Sequence, residues 1–598
     1  MSHPAPNPAH PALPTASAAV QAASHTAARH FIDGLQEAGI GYLFSNLGTD
    51  HVTLIDELAR AETEGRPAPR VILCPHENVA IHMAGGYAAV TGRGQGVLVH
   101  VDAGTANAAM GMHNLMRTRL PVLLMAGRAP FSLHGELHGA RDSYVHYVQD
   151  PYDIGSLVRP YVKWEYNLPS GVMAKEVIRR GHTLMHNHPP GPVYLTLPRE
   201  TLAARVPDAL VRSYPAEQYG TAQTGTLPRE AVQHIARELI AAEHPLLITS
   251  YLGREAQAVQ ALQALASLCG IAVVDFAPVW LSISQRHECF AGFDATPWLP
   301  DADLGLLVDV DVPWLPHLTQ PSQRTRWVQI DMDPVKQDFP AWGFAAHLRY
   351  AARSALALRD IHDAVQALAD DGFRARVAQR LQRLAQAAAQ RRQKAAEAAA
   401  DPGAADALNP AWVCAQVGAQ LDAHDVLINE GIRNAPNVYQ QIERTEPLTL
   451  LGGAGGGLGY SAGMALGIKL AQQETGRRAR VVHIQGDGCF HFSTPTSVYA
   501  TAQQYGLPIF SVVLDNGGWQ AVRDSVLRMH PSGAAAQANQ FHARLQGGQR
   551  RFELVAQAFG AHGERVGRAE DLPGAIARCL QALEEGRSAL LVASIARI

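Results

Sequence analysis

The segment Gly486-Asp487-Gly488, followed after 26 residues by Asp515-Asn516-Gly517-Gly518, constrains this chain more than anything else in it. Each stretch closes a run that reads as a buried strand, residues 481–485 and 508–514. An Asp and an Asn at the ends of neighbouring strands offer oxygen ligands to a hard divalent cation beside a diphosphate. The flanking glycines let the backbone come close. The placement fits a site, because ligands of open α/β sheets sit at the carboxyl ends of strands, although Asp-Gly and Asn-Gly also make ordinary strand-end turns.

The rest of the chain follows the same plan. Short apolar runs at 42–44, 71–73, 96–99 and 121–125 alternate with helical stretches, the pattern of a parallel layer. A second series begins near Leu227 and includes 245–249, 271–274 and 304–308. The reading is α/β, with three parallel-sheet domains. The boundaries are a disordered tail over 1–26, a first domain over 27–205, a central domain over 225–370, a helical segment and linker over 371–408, and a last domain over 409–598. Units one and three look like variants of one plan.

Composition removes other classes. With 598 residues, 47% apolar and 17% charged, the chain is globular and too long for one core. A net charge of −4 without a basic stripe argues against nucleic acid. No apolar run reaches the length of a membrane span. Cys74, Cys269, Cys289, Cys414, Cys489 and Cys579 form no C-x-x-C pair, which fits a reducing cytoplasm. His134, Glu136, His138 and His146 are not spaced as H-E-x-x-H; the glycines among them read as a polar loop. Residues 525–550 carry few large apolar side chains after Met529 and read as a lid or an ordinary loop.

Two further motifs accompany the cation pair. Gly452-Gly453-Ala454-Gly455-Gly456-Gly457-Leu458-Gly459-Tyr460 precedes it, and Cys74-Pro75-His76-Glu77-Asn78 leads into Ala84-Gly85-Gly86-Tyr87-Ala88 near the start. Together, in this order, they resemble the thiamin diphosphate enzymes, in particular the acetolactate synthase and benzoylformate decarboxylase group. The likeness covers residues 28–598. It names the three domains pyrimidine-binding, central and diphosphate-binding.

The resemblance implies a role for each matching residue. Glu77 is placed against the aminopyrimidine as the carboxyl group that starts a proton relay. Asp487, Asn516 and the carbonyl of Gly518 become ligands of Mg²⁺, with Asp515 standing where many relatives have Asn. Leu458 corresponds to the aliphatic residue that holds the cofactor bent, and Gly486, Gly488 and Asn434 lie by the diphosphate. His100, in Val99-His100-Val101-Asp102-Ala103-Gly104-Thr105-Ala106-Asn107, resembles the proton-handling histidine of benzoylformate decarboxylase. Imidazole suits that task because it titrates near neutrality. One of Thr49, Asp50 and His51 is expected to face the substrate, and Gln149 lies where synthase-like relatives carry a glutamine.

The implied activity is decarboxylation of a 2-oxo acid, with or without carboligation. Two other readings share the motifs: a C–C lyase acting on a 2-hydroxyacyl-CoA or an acyloin without release of CO₂, and a non-catalytic protein of the same fold. The central domain has no G-x-G-x-x-G after its first strand, only Ser250-Tyr251-Leu252-Gly253-Arg254, which speaks against FAD. The resemblance also implies a homodimer, with the Glu77 domain of one subunit facing the Asp487 domain of its partner, and a homotetramer of two such dimers.

Overall fold

The computed structural model describes residues 23–213, 215–545 and 550–598. Residues 1–22 of the expected tail lie outside them, whereas Ser24–Thr26 form a strand paired antiparallel with Arg205–Pro207. The chain forms two compact units. One holds the described residues up to Ala84 together with Arg93–Thr221, and the other holds Gly85–Gly92 together with Ala222–Ile598.

The first unit is built on six parallel strands. Their spatial order is Arg70–Leu73, Tyr42–Ser45, Gln95–Val99, Val122–Arg128, Val193–Pro198, Glu165–Asn167. Helix Ala27–Glu37 covers one face because Ala28, Phe31, Ile32 and Leu35 recur at helical spacing and are buried. Thr26 starts that helix by accepting a hydrogen bond from the Arg29 amide on its hydroxyl. Leu43, Leu98, Leu123 and Leu195 meet it from the strands, with Ile178 from helix Ala174–His186.

The second unit contains two more six-stranded parallel sheets. Numbered by chain order within each sheet, its last sheet runs 2-1-3-4-6-5, the same order as the sheet of the first unit. The other sheet, starting with Pro245–Thr249, runs 3-2-1-4-5-6, the dinucleotide-binding order. Its strand ends hold a buried charge cluster: Lys336 reaches Asp331 at 2.6 Å, Asp311 at 2.8 Å and the Tyr251 hydroxyl at 2.8 Å. Helix Asp371–Ala398 packs through Phe373, Val377, Arg380 and Leu384, and Arg380 donates to the carbonyl of Cys269 at 2.6 Å. After it, Gly403–Ala404 pairs with Ala407–Leu408 in a short hairpin. Among the described residues no helix is long and apolar enough to cross a membrane.

Six parallel strands covered on both faces leave little room for polar groups except at their ends. Asp275 closes strand Ala272–Asp275 and is fully buried. One of its oxygens accepts from the Ser282 amide at 3.0 Å and the other has no hydrogen-bond partner. Burial pushes this carboxyl up to about 8. The folded group therefore stays neutral where the unfolded one ionises, and its contribution to stability is lost as pH rises from the ordinary carboxylate range through 8. Asp275→Asn is expected to gain stability over the unchanged protein between pH 5 and 9, read from thermal melts. A difference independent of pH would contradict this.

Candidate active site

In a sheet ordered 2-1-3-4-6-5, the chain departs in opposite directions from the first and third strands. The crevice between their carboxyl ends is where such sheets bind ligands. In the first unit those strands are Tyr42–Ser45 and Gln95–Val99, followed by Thr49–His51 and by His100. In the last sheet they are Val426–Glu430 and Val481–Gly486, followed by Asn434 and by Asp487. A β-branched residue with positive φ marks each place: Val101 at 31° and Ile432 at 48°. Backbone strain of this kind collects at functional sites.

Asp50, 2% exposed, is the hub of the first crevice. Its Oδ1 accepts from His100 Nδ1 at 2.6 Å, and its Oδ2 accepts from the Val101 amide at 3.3 Å. His51, wholly buried, lies 3.2 Å from Oδ2 and accepts from the Gly48 amide on Nδ1 at 3.0 Å. Gly127 makes room for this carboxylate, since a Cβ there would come within 1.6 Å of Asp50 Oδ2. Thr49 is exposed. Of the three turn residues, it is Asp50 that reaches His100.

Electrostatics divides the group. The hydrogen bond that His100 donates to Asp50 raises His100, outweighing the effect of burial. Burial alone would lift Asp50, but the bond from His100 and the two imidazoles bring it below its usual range. Burial lowers His51 despite the pull of Asp50. With Nδ1–H committed to Asp50, His100 turns Nε2 outward, where Gln149 Oε1 stands at 3.2 Å. Arg141 fixes the loop that brings Gln149, donating to the carbonyls of Pro130 at 2.8 Å and His146 at 2.6 Å and to Asp150 at 2.5 Å.

Glu77 opens helix Glu77–Thr91 and is 7% exposed. Asn107 donates to its Oε2 at 3.1 Å, a partner the sequence did not single out although it closes the quoted His100 stretch. His134, Glu136 and His138 lie in an irregular loop, where Glu136 accepts from the His134 amide at 2.7 Å. Among the described residues no group of three or more His, Cys, Asp or Glu could hold a metal.

In the last sheet Asp487 begins helix Asp487–Phe492 and is 1% exposed, beside buried Gly488 and half-buried Gly486. Asn516 follows strand Phe510–Asp515; its Oδ1 accepts from the Gly518 amide at 3.1 Å. Gly518 has φ 152°, and a Cβ there would meet the Ala543 carbonyl at 2.1 Å, so no other residue fits. Carboxylate, amide oxygen and main-chain carbonyl are hard donors, a set that fits Mg²⁺. Burial and the neighbouring Asp515 push Asp487 up, against the pull of Arg550.

Leu458 is half-buried in a loop that Glu430 ties down. This fully buried carboxyl, raised by burial, accepts from the amides of Gly459, Tyr460 and Ser461. Asn434 accepts from Asn437 at 3.1 Å, and Arg433 pairs with Asp524 at 2.5 Å. Residues 525–545 of the expected lid contain helix Ala534–Ala538 and the end of helix Gln520–Met529; 546–549 lie outside the described residues.

Residues 25–155 match the N-terminal TPP binding domain of the thiamine pyrophosphate enzymes, and residues 435–593 match their C-terminal TPP binding domain. Benzoylformate decarboxylase of Pseudomonas aeruginosa is 25% identical over 82% of this chain and 85% of its own length. Acetolactate synthase isozyme 3 large subunit of Escherichia coli is 23% identical over 74% of this chain and 75% of its own. The crystal structure of benzoylformate decarboxylase from Polynucleobacter necessarius superposes with a TM-score of 0.75 at 19% identity, covering 96% of this chain and 99% of that one.

Asp50→Asn removes what holds the His100 proton. Neutral imidazole reacts with diethyl pyrocarbonate and imidazolium does not, so His100 in the variant is expected to become reactive at lower pH than in the unchanged protein. Peptide mass spectrometry reads this, and an unmoved profile would contradict the pairing.

Proposed function

The chain belongs to the thiamine pyrophosphate enzymes, and on that premise we propose that it decarboxylates a 2-oxo acid with thiamin diphosphate and Mg²⁺. The observation that carries this reading is the Asp50–His100 pair, an imidazole held protonated above its usual range at a strand end. Similarity across most of the chain to a protein named benzoylformate decarboxylase supports it. When bound, the cofactor supplies the nucleophilic carbon and the electron sink that this chemistry needs.

The protein's own residues do the rest. Glu77, oriented by Asn107, exchanges a proton with the aminopyrimidine. Asp487, Asn516 and the Gly518 carbonyl would hold the cation, with Gly486, Gly488 and Asn434 beside the diphosphate and Leu458 against the cofactor. Exchange of the carboxylate for CO₂ requires one proton at the former keto carbon. His100 would deliver that proton, so that the acid leaves overall as CO₂ and an aldehyde, and Asp50 favours recovery of the proton from water. Gln149, beside Nε2, is a positioning residue for this exchange. The working assembly is a homodimer at minimum, and a homotetramer of two dimers in the fuller form.

Incubation with thiamin diphosphate, Mg²⁺ and pyruvate, 2-oxobutyrate, phenylpyruvate or benzoylformate tests the reading. CO₂ with an aldehyde is the expected result. CO₂ with a coupled product would assign carboligation, and no CO₂ from any acid, with cofactor bound, would overturn decarboxylation. Glu77→Gln is expected to lower CO₂ release by at least ~10²-fold.

A further inference from the structure

Asp487 and Asp515 end adjacent strands, and both carboxylates are almost wholly buried. Two such groups side by side repel unless positive charge lies between or behind them. The structure supplies two guanidinium groups, and they are not equivalent.

Arg565 is fixed. It donates to Asp515 Oδ2 at 3.0 Å, to the Ser594 hydroxyl at 3.1 Å and to the Arg550 carbonyl at 2.5 Å, and its side chain is 9% exposed. Its Nε also lies 3.5 Å from the Glu553 carboxylate, so its charge is shared between Asp515 and Glu553.

Arg550 bridges. Its Nη2 stands 2.7 Å from Asp515 Oδ1 and 3.2 Å from Asp487 Oδ2, so the same nitrogen serves both carboxylates. Its Nη1 donates to the Leu545 carbonyl at 3.2 Å, and its Nε, though buried, has no hydrogen-bond partner. The shorter contact is to Asp515 and the longer one to Asp487. Released from Asp487, the guanidinium would keep its stronger bond and its place above the Phe552 ring.

We propose that Arg550 is a resident counter-ion of the cation site: it neutralises Asp487 until a divalent cation arrives, then yields that carboxylate while staying on Asp515. The inference rests on Asp487 being a ligand of the cation. It makes Arg550 a positioning residue that sets metal affinity without ligating the metal. A guanidinium against the same carboxylate oxygen competes with an incoming cation by charge and by occupancy. Removing it leaves two buried carboxylates with one guanidinium, an arrangement less stable without metal and more attractive to it.

Mn²⁺ alone serves as the probe, with free ion counted by electron paramagnetic resonance on the full chain and folding checked by circular dichroism. Arg550→Gln is expected to bind Mn²⁺ several-fold more tightly than the unchanged protein. It is also expected to melt lower without the ion and to recover more when the ion is added. Arg550→Lys keeps a charge but lacks the planar fork, and is expected to fall between the two. If Arg550→Gln does not fold, Arg550→Lys carries the test by the same tightening. Unchanged or weaker Mn²⁺ binding in the folded variant overturns the proposal. Asp487→Asn separates the two levels: loss of Mn²⁺ binding there keeps the ligand reading intact, whereas unchanged binding removes that reading and the counter-ion with it.

Discussion

Parallel strands covered by helices on both faces cannot carry unpartnered polar side chains along their length, because such a group inside an apolar layer costs several kcal/mol. Each central strand of this protein is accordingly buried from end to end: Val122–Met125, Ile428, Val482 to Ile484 and Val512 to Leu514 are among its most enclosed residues. Chemistry is thereby confined to the carboxyl edges. The order 2-1-3-4-6-5 narrows the place further, to the crevice beside the first and third strands. It does so twice, once for Asp50 and His100 and once for Asn434 and Asp487. The residues named for function lie at or next to these two crevices.

Charge buried at such an edge must be matched, and the matching partners explain much of the local structure. Asp50 is ionised because His100 donates to it and His51 lies beside it. Asp515 is ionised because Arg550 and Arg565 hold it. Lys336 is tolerated with no exposure because Asp331 and Asp311 flank it. Asp275, which has only the Ser282 amide, responds in the other way and keeps its proton. The same rule, that a buried ion is paired or neutralised, accounts for all four.

Alternation of apolar runs with helical stretches was enough to read the three parallel layers, because in such sheets the strands are nearly continuous hydrophobic segments. Glu77, Asp487 and Asn516 were legible as candidates because their motifs are local: each couples a strand end to a glycine or a helix start within a few residues. What stayed hidden is tertiary. Glu430 holds the glycine-rich loop from another strand, Arg550 and Arg565 reach back to Asp515, and Asn107 meets Glu77 from the following helix. Ser24–Thr26, read as part of a tail, finds its strand partner at Arg205–Pro207. No local periodicity announces such pairings. The aspartate at 515 was the one available hint, since a carboxylate there calls for a cation that the motif does not contain.

The proposed function requires that Asp487, Asn516 and the Gly518 carbonyl hold the cation that secures the cofactor's diphosphate. Isothermal titration of the full chain with thiamin diphosphate, in Mg²⁺ and again in excess chelator, measures this most directly. The account predicts binding in Mg²⁺ that is lost with chelator and lost in Asp487→Asn even when Mg²⁺ is present. Equal affinity with and without the cation, or an Asp487→Asn variant that binds as the unchanged protein does, would contradict it.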